Sequence, residues 1–296
     1  MSWSEADIPD LSGRVAVVTG AARGLGRATA TALAAKGAHV IMAVRDPAAI
    51  AAPNGAEIVR LDLGSLASVE RAAGRILDRH SRLDLLINNA GVMAVPEGRT
   101  ADGFETQFGV NHLGHWALTA RLLPALVRTP HARVVTATSN AQHGGRPLTA
   151  TPPARYDRFR AYDDSKLANR HFAQGLDRRF RAAGLAARSL AAHPGATGTG
   201  LAAHLTGRGL RDGLLPRFAA RVGMPPERGA LSQLRAATDP RAEGGTMYGP
   251  RWFMVGPPVA RRLFRPGAGP AIEALWATSR ELTGLDIDVA AAVART

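Results

Sequence analysis

The stretch from Arg14 to Lys36 constrains this chain more than any other. Arg14–Thr19 (RVAVVT) is a run of β-branched and small apolar residues. It passes through Gly20-Ala21-Ala22-Arg23-Gly24-Leu25-Gly26 into an Ala-rich helical stretch, Leu25–Lys36, that Gly37 stops. A buried strand feeding a helix through so short a turn must return to the sheet by a right-handed crossover. The alternation then continues. His39–Val44, Glu57–Leu61, Leu83–Ile87, Arg133–Thr138 and Leu185–Ala192 read as further strands, and Leu66–Arg79, Phe104–Val127 and Ala161–Ala183 as helices.

This pattern predicts an α/β chain with a Rossmann-type doubly wound parallel sheet in three α/β/α layers. Its 296 residues show no internal repeat and no flexible linker. The reading is therefore one domain over 1–296, with its core at 11–195. Residues 196–229, glycine-rich and weakly periodic, are expected to form a substrate lid over the strands' C-terminal edge. Residues 230–296 are expected to complete the substrate pocket, with Trp252-Phe253-Met254 and Trp276 as candidate walls or core packing.

Composition removes several classes of function. A hydrophobic content of 46% is enough for a packed core and excludes wholesale disorder. The absence of cysteine excludes a disulfide scaffold, a thiolate metal site and a thiol nucleophile. The start, MSWSEADIPDLSG, is polar and acidic, and no apolar run approaches the ~18–20 residues of a spanning helix. A soluble, cytoplasmic protein is expected. The net charge of +13 invites a polyanion partner, yet only Lys36 and Lys166 among the 37 basic residues are lysines. That bias, with no basic run and 5% aromatic residues, reads as compositional and predicts no nucleic-acid partner.

The glycine turn carries the first chemical expectation. Glycines there let the backbone approach a pyrophosphate, which would lie on the helix N-terminus beside Gly20, Gly24, Leu25 and Gly26. After the third strand, Asp62-Leu63 would place a carboxylate on an adenine amino group, or else simply cap a helix. The second strand ends in Val44-Arg45, where a carboxylate would select a free ribose hydroxyl. Arg45 and Arg23 instead suit a 2′-phosphate, so NADPH/NADP+ is favoured over NADH. Asp46, one residue beyond, dissents.

Tyr162 and Lys166 stand at i and i+4 of one helix, so phenol and ammonium share a face. A nearby ammonium favours the phenolate and brings a tyrosine towards useful acid/base strength. Ser139 ends the fifth strand, where a hydroxyl can hold a substrate oxygen. Asn111 is a poor helix former in mid-helix, and its amide could bind kinked backbone and a water near Lys166. Each feature alone has an ordinary structural explanation. Their coincidence at one sheet edge does not.

Thr19–Gly26, Asn88–Gly91, Asn111, Ser139, Tyr162-x-x-x-Lys166 and His193-Pro194-Gly195 together resemble the short-chain dehydrogenase/reductase family, strongly over about 11–200. Arg45-Asp46-Pro47, Phe108–His115 and Ser165–Asn169 are similar to its retinol-dehydrogenase-like branch. The resemblance implies a carbonyl/alcohol oxidoreductase on a small-molecule substrate. Tyr162 would protonate the carbonyl oxygen and Ser139 would bind it. Lys166 would hold the nicotinamide ribose and lower the Tyr162 pKa, and Asn111 would complete a proton relay through water. Asn89, Ala90 and Gly91, with Asn88 before them, would line the adenine-ribose side. Pro194, Gly195 and either Thr197 or Thr199 would contact the nicotinamide end.

Some features depart from that pattern or lie outside it. Thr138 supplies a second hydroxyl beside Ser139. Asp163-Asp164 would oppose Lys166 if they faced the cleft, and both are expected to face solvent. His112 and His115 are read as packed or surface histidines, with no metal site. Arg208, Arg211, Arg217, Arg221 and Arg228 would line a solvated face, or else a lid that recognises an acidic or lipid-like substrate or touches an anionic membrane. Homo-oligomers are possible on this fold. The competing readings are a nucleotide-binding sensor without turnover and a redox-neutral epimerase or dehydratase.

Overall fold

The computed structural model describes residues 2–48, 50–53, 55–147, 155–197, 223–261 and 268–295. Among them the chain runs β1 (Val15–Thr19), α1 (Gly24–Ala35), β2 (His39–Val44), β3 (Glu57–Arg60), α2 (Leu66–Leu77) and β4 (Leu85–Asn88). A short α3 (Thr106–Phe108) leads through a π-helical turn, Gly109–Leu113, into α4 (Gly114–Val127). Then come β5 (Arg133–Ala137), α5 (Arg158–Ala182), β6 (Arg188–Ala192), α6 (Pro226–Thr238), β7 (Met247–Pro250), β8 (Pro258–Arg261), α7 (Ala268–Thr283) and α8 (Val289–Ala294).

The sheet order is β3-β2-β1-β4-β5-β6-β7-β8, parallel throughout except for the β7–β8 pair. The order reverses between β1 and β4, so a crevice opens beyond their C-terminal ends, where such sheets bind ligands. Two core clusters fill the faces. Val17, Ile41 and Leu86 point to the side covered by α2, α4 and α5. Val18, Val40, Met42 and Ile87 point to the side covered by α1 and α6. The inward runs are continuously apolar because both faces of each central strand are buried. The expected three-layer α/β/α arrangement is the one observed.

The strands and helices before residue 192 fall within a few residues of their expected positions. The antiparallel β7–β8 hairpin and the two C-terminal helices carried no expectation, since Met247–Arg261 is rich in Gly and Pro and shows no clean alternation. Among the described residues no helix is long and apolar enough to cross a membrane.

Trp276 belongs to the core cluster between α4, α5 and α7. It stacks on Phe172 of α5 at 5.7 Å between ring centres and meets Trp116 of α4 edge-on at 4.9 Å. The Arg179 guanidinium lies 3.9 Å from its ring centre on the outer side. This aromatic stack fastens α7 over the helices that carry Asn111, Tyr162 and Lys166. Trp276→Ala should lower folding stability by about 3–5 kcal/mol in denaturant titration. A loss below about 1 kcal/mol would show that α7 docks without it.

Candidate active site

The floor of the crevice is set by Thr19 at the end of β1. Its hydroxyl accepts the backbone N–H groups of Asn89 (2.9 Å) and Ala90 (3.0 Å), which follow β4. The Asn89 amide donates to the Thr19 carbonyl (2.8 Å) and accepts from Gln233 of α6 (3.3 Å). Gly26 is required here: a Cβ would overlap the Gly20 carbonyl and stand 2.6 Å from the Asn89 amide nitrogen. Gly20 and Gly24 take positive φ values of 66° and 58°, so the turn wraps closely over the start of α1. Arg23, exposed, is the N-cap of α1, and Leu25 packs against Gly229 of α6.

Asn88 does not line this crevice. It is fully buried beneath it and donates to Thr119 of α4 (3.2 Å). Asp62 accepts from Gly64 N–H (2.9 Å) in a tight turn, while Ser65 caps α2. Leu63 is a core residue that packs on Gly114 at the start of α4. Beyond the ends of β2 and β3, Arg45, Asp46, Pro47, Ala48 and Arg60 line an open groove. Asp46 turns back to accept the N–H of Ala48 (3.2 Å), which leaves two guanidinium side chains on the groove wall. Arg60 had not been singled out. It stands opposite Val44 in the β2–β3 register, and that pairing is not visible in a linear reading.

Tyr162 and Lys166 stand one turn apart on α5, whose N-terminus is capped by Asp157. The Lys166 Nζ donates to the Ala137 carbonyl at the end of β5 (3.3 Å), and Asn169 donates to the same oxygen (3.0 Å). The Ser139 hydroxyl lies beside the Tyr162 phenol, near enough to favour its ionised form. Ser139 itself caps the 3₁₀ turn Asn140–His143. Strand end and helix face are thus brought together as expected. Thr138 is not a second free hydroxyl, because it donates to the Lys166 carbonyl (2.8 Å).

Burial shifts both ionisable groups towards their neutral forms. Desolvation pushes the Tyr162 phenol up to about 12; the nearby Ser139 hydroxyl opposes the rise, and the Asp163 charge adds to it. Desolvation pushes the Lys166 ammonium down to about 8. With Nζ 5.6 Å from the Tyr162 ring centre, the acidifying effect expected of the ammonium does not outweigh desolvation.

Asp163 and Asp164 do not simply face solvent. Asp163 lies against Gly144 and Gly145, and Asp164, half buried, accepts the Arg146 N–H (2.7 Å). The pair clamps the chain that leaves Ser139 onto the helix that carries Tyr162.

Asn111 sits in the π turn, a local distortion typical of functional positions. Its Oδ1 accepts from Val92 N–H (2.8 Å), and its Nδ2 donates to the Val92 carbonyl (2.9 Å) and to Ser165 (3.0 Å). Gly91 lies between Asn111 and Lys166. His115 supplies the link that sequence reasoning missed. Its Nδ1 lies 3.0 Å from the Asn111 carbonyl and its Nε2 2.9 Å from the Thr19 hydroxyl. A carbonyl only accepts, so Nδ1 carries the proton and Nε2 accepts from Thr19. Burial lowers the His115 pKa to about 4 and keeps this neutral form. His112 points away, to Ser279 of α7 (2.8 Å), so the two histidines share no ligand.

The nicotinamide-side candidates lie on one loop. Gly195 has φ 73°, and a Cβ there would strike the Met254 carbonyl. Ala196 N–H donates to that carbonyl (2.8 Å), and Thr197 bridges to Met224. Pro194 and Thr197 border Gly229. Thr199 lies outside the described residues, as do most of the expected lid and Arg208, Arg211, Arg217 and Arg221.

Comparison with known proteins identifies the family. The profile of the short chain dehydrogenase family matches residues 14–208. A short-chain dehydrogenase/reductase of Armillaria gallica is 38% identical over 261 residues, 81% of each chain. Human retinol dehydrogenase 12 is 42% identical over 206 residues, covering 66% of this chain and 65% of that protein. The crystal structure of an uncharacterized protein from Mycobacterium paratuberculosis is 40% identical, with a TM-score of 0.77 over 97% of this chain and 99% of that one. The chain thus belongs to the short-chain dehydrogenase/reductase family, in its retinol-dehydrogenase-like branch, a family of oxidoreductases that bind NAD(P)(H).

Proposed function

We propose that the protein uses NADPH to reduce an apolar ketone or aldehyde to an alcohol, reversibly, with Tyr162 as the general acid. The observation that carries this reading is the junction of Ser139, Tyr162 and Lys166 at the ends of β5 and α5, opening onto the crevice beside Gly91. The close-wrapped turn Gly20–Gly26 fits a dinucleotide pyrophosphate, and the groove with Arg45 and Arg60 fits a 2′-phosphate. When bound, the nicotinamide supplies the hydride.

The chain's own residues do the rest. Ser139 holds the substrate carbonyl oxygen next to the phenol. With its pKa raised to about 12, Tyr162 is fully protonated at neutral pH and therefore loaded to give its proton to that oxygen as negative charge develops. Lys166, still mostly charged below about 8, stabilises the phenolate left behind and would hold the nicotinamide ribose. Asn111 keeps Val92 and Ser165 in place around them and stands where a relay to water would begin.

An apolar substrate is favoured by the β7–β8 turn. Trp252 and Phe253 are 67% and 49% exposed, yet Asn140, next to Ser139, anchors the Phe253 carbonyl (2.9 Å). Two large apolar rings are thereby presented beside the chemistry. The name of the retinol dehydrogenase relatives fits an apolar carbonyl or alcohol.

The test is NADPH oxidation by the purified protein against a panel of apolar ketones and aldehydes. Tyr162→Phe should lower kcat by about 10²–10⁴-fold while NADPH affinity holds; full activity in the variant would remove Tyr162 from the chemistry. The reductive rate should be flat near pH 7 and decline above about pH 8 as Lys166 loses its proton. Alcohol oxidation needs the phenolate, so it should keep rising towards about pH 12. A reductive profile still flat at pH 10 would contradict the role given to Lys166. Arg45→Asp should weaken NADPH by roughly 10–100-fold and improve NADH. An unchanged preference would place the 2′-phosphate elsewhere.

A further inference from the structure

We propose that His39, Glu57 and His80 form a site for a divalent transition cation of the zinc class, at the sheet edge opposite the catalytic crevice. Sequence reasoning expected no metal site, because the three residues are scattered along the chain and converge only in the fold. His39 opens β2 and Glu57 opens β3. In the parallel register Glu57 stands opposite Ile41, and His39 lies two residues before Ile41, so both side chains leave the sheet on one face. That face is covered by α2, whose Ile76 packs with Ile41 and Val59 in one core cluster. The chain leaving α2 places His80 there, its N–H bonded to the Ile76 carbonyl (2.9 Å).

The donor atoms are spaced for coordination. Glu57 Oε2 is 3.4 Å from His80 Nε2 and 3.8 Å from His39 Nε2, and the three atoms lie within 4.8 Å of one another. Two ligands about 2.1 Å from a tetrahedral ion stand about 3.4 Å apart. The His80–Glu57 pair already has that separation, and the exposed His39 imidazole stands roughly 0.4 Å beyond it from the carboxylate, free to swing inward. Glu57 divides its oxygens. Arg79 holds Oε1 at 2.8 Å, which orients the carboxylate and leaves Oε2 to the two imidazoles. The rings lie side by side, 5.0 Å between centres. Two imidazoles and one carboxylate suit zinc, with water in the fourth position. A bound ion would tie β3, the outermost strand, to β2 and to the end of α2.

Zinc chloride titrated calorimetrically into the full-length, tag-free, EDTA-stripped protein tests this directly, alongside thermal unfolding. One equivalent should bind, and the unfolding temperature should rise with zinc concentration. His80→Gln should weaken binding by about tenfold or more, and the double variant His39→Gln/His80→Gln should lose both the saturable heat and the thermal shift. NADPH affinity should be the same in all three proteins. The absence of saturable zinc binding by the wild type would overturn the site and leave a cluster of ion pairs around Glu57. Equal affinity in the double variant would overturn it too, by locating the ion elsewhere.

Discussion

The hydroxyl of Thr19 holds the crevice together. It receives two backbone N–H groups from the β4 loop and donates to His115, which in turn holds the carbonyl of Asn111. Three segments far apart in the chain, the glycine turn, the β4 loop and the π turn, meet at this one oxygen. The π turn depends on it, since Asn111 must present its side chain to Val92 and Ser165 while its carbonyl is pulled towards β1. A histidine serves here because its neutral ring donates at one end and accepts at the other across a fixed distance. Burial keeps it neutral, so the link does not vary with pH near neutrality.

The arrangement around Tyr162 shows how burial and hydrogen bonding divide the work. Removing Lys166 from water lowers its affinity for a proton, and removing Tyr162 raises that of the phenol. Both shifts express the cost of holding a charge away from water. Ala137 is decisive in this respect. Its carbonyl, at the end of a buried strand, is a fixed acceptor that holds Lys166 and Asn169 in the dry interior between β5 and α5.

Much of this was legible in the sequence. The strands of the first two thirds are marked by β-branched runs, and the glycine turn, Ser139, Tyr162 and Lys166 fall at their ends and on the following helix. What was not legible depends on register or on rotamer. Arg60 joins Arg45 only because β3 pairs with β2, and Asn88 and Asn89, adjacent in sequence, point to opposite sides of the chain. Thr138 reads as a neighbouring hydroxyl beside Ser139, and its bond to the Lys166 carbonyl, which closes the β5–α5 contact, shows only in the fold. Trp276 looked equally suited to wall or core, and only the position of Phe172 and Trp116 decides for the core. His39, Glu57 and His80 carry no local pattern at all.

Asp163 and Asp164 bear on how such a site can change. By gripping Gly144–Arg146, they fix the chain leaving Ser139 to the same helix that presents Tyr162. At the other end, Tyr156 donates to the Val95 carbonyl and receives a bond from Gln107, which also binds the Arg158 carbonyl, so the chain is fixed again just before α5 begins. The catalytic pair is therefore held from both sides, by Asp164 on the chain after Ser139 and by Tyr156 and Gln107 just before α5. Substitutions at these anchors would act on the spacing of the serine and tyrosine oxygens without touching either residue.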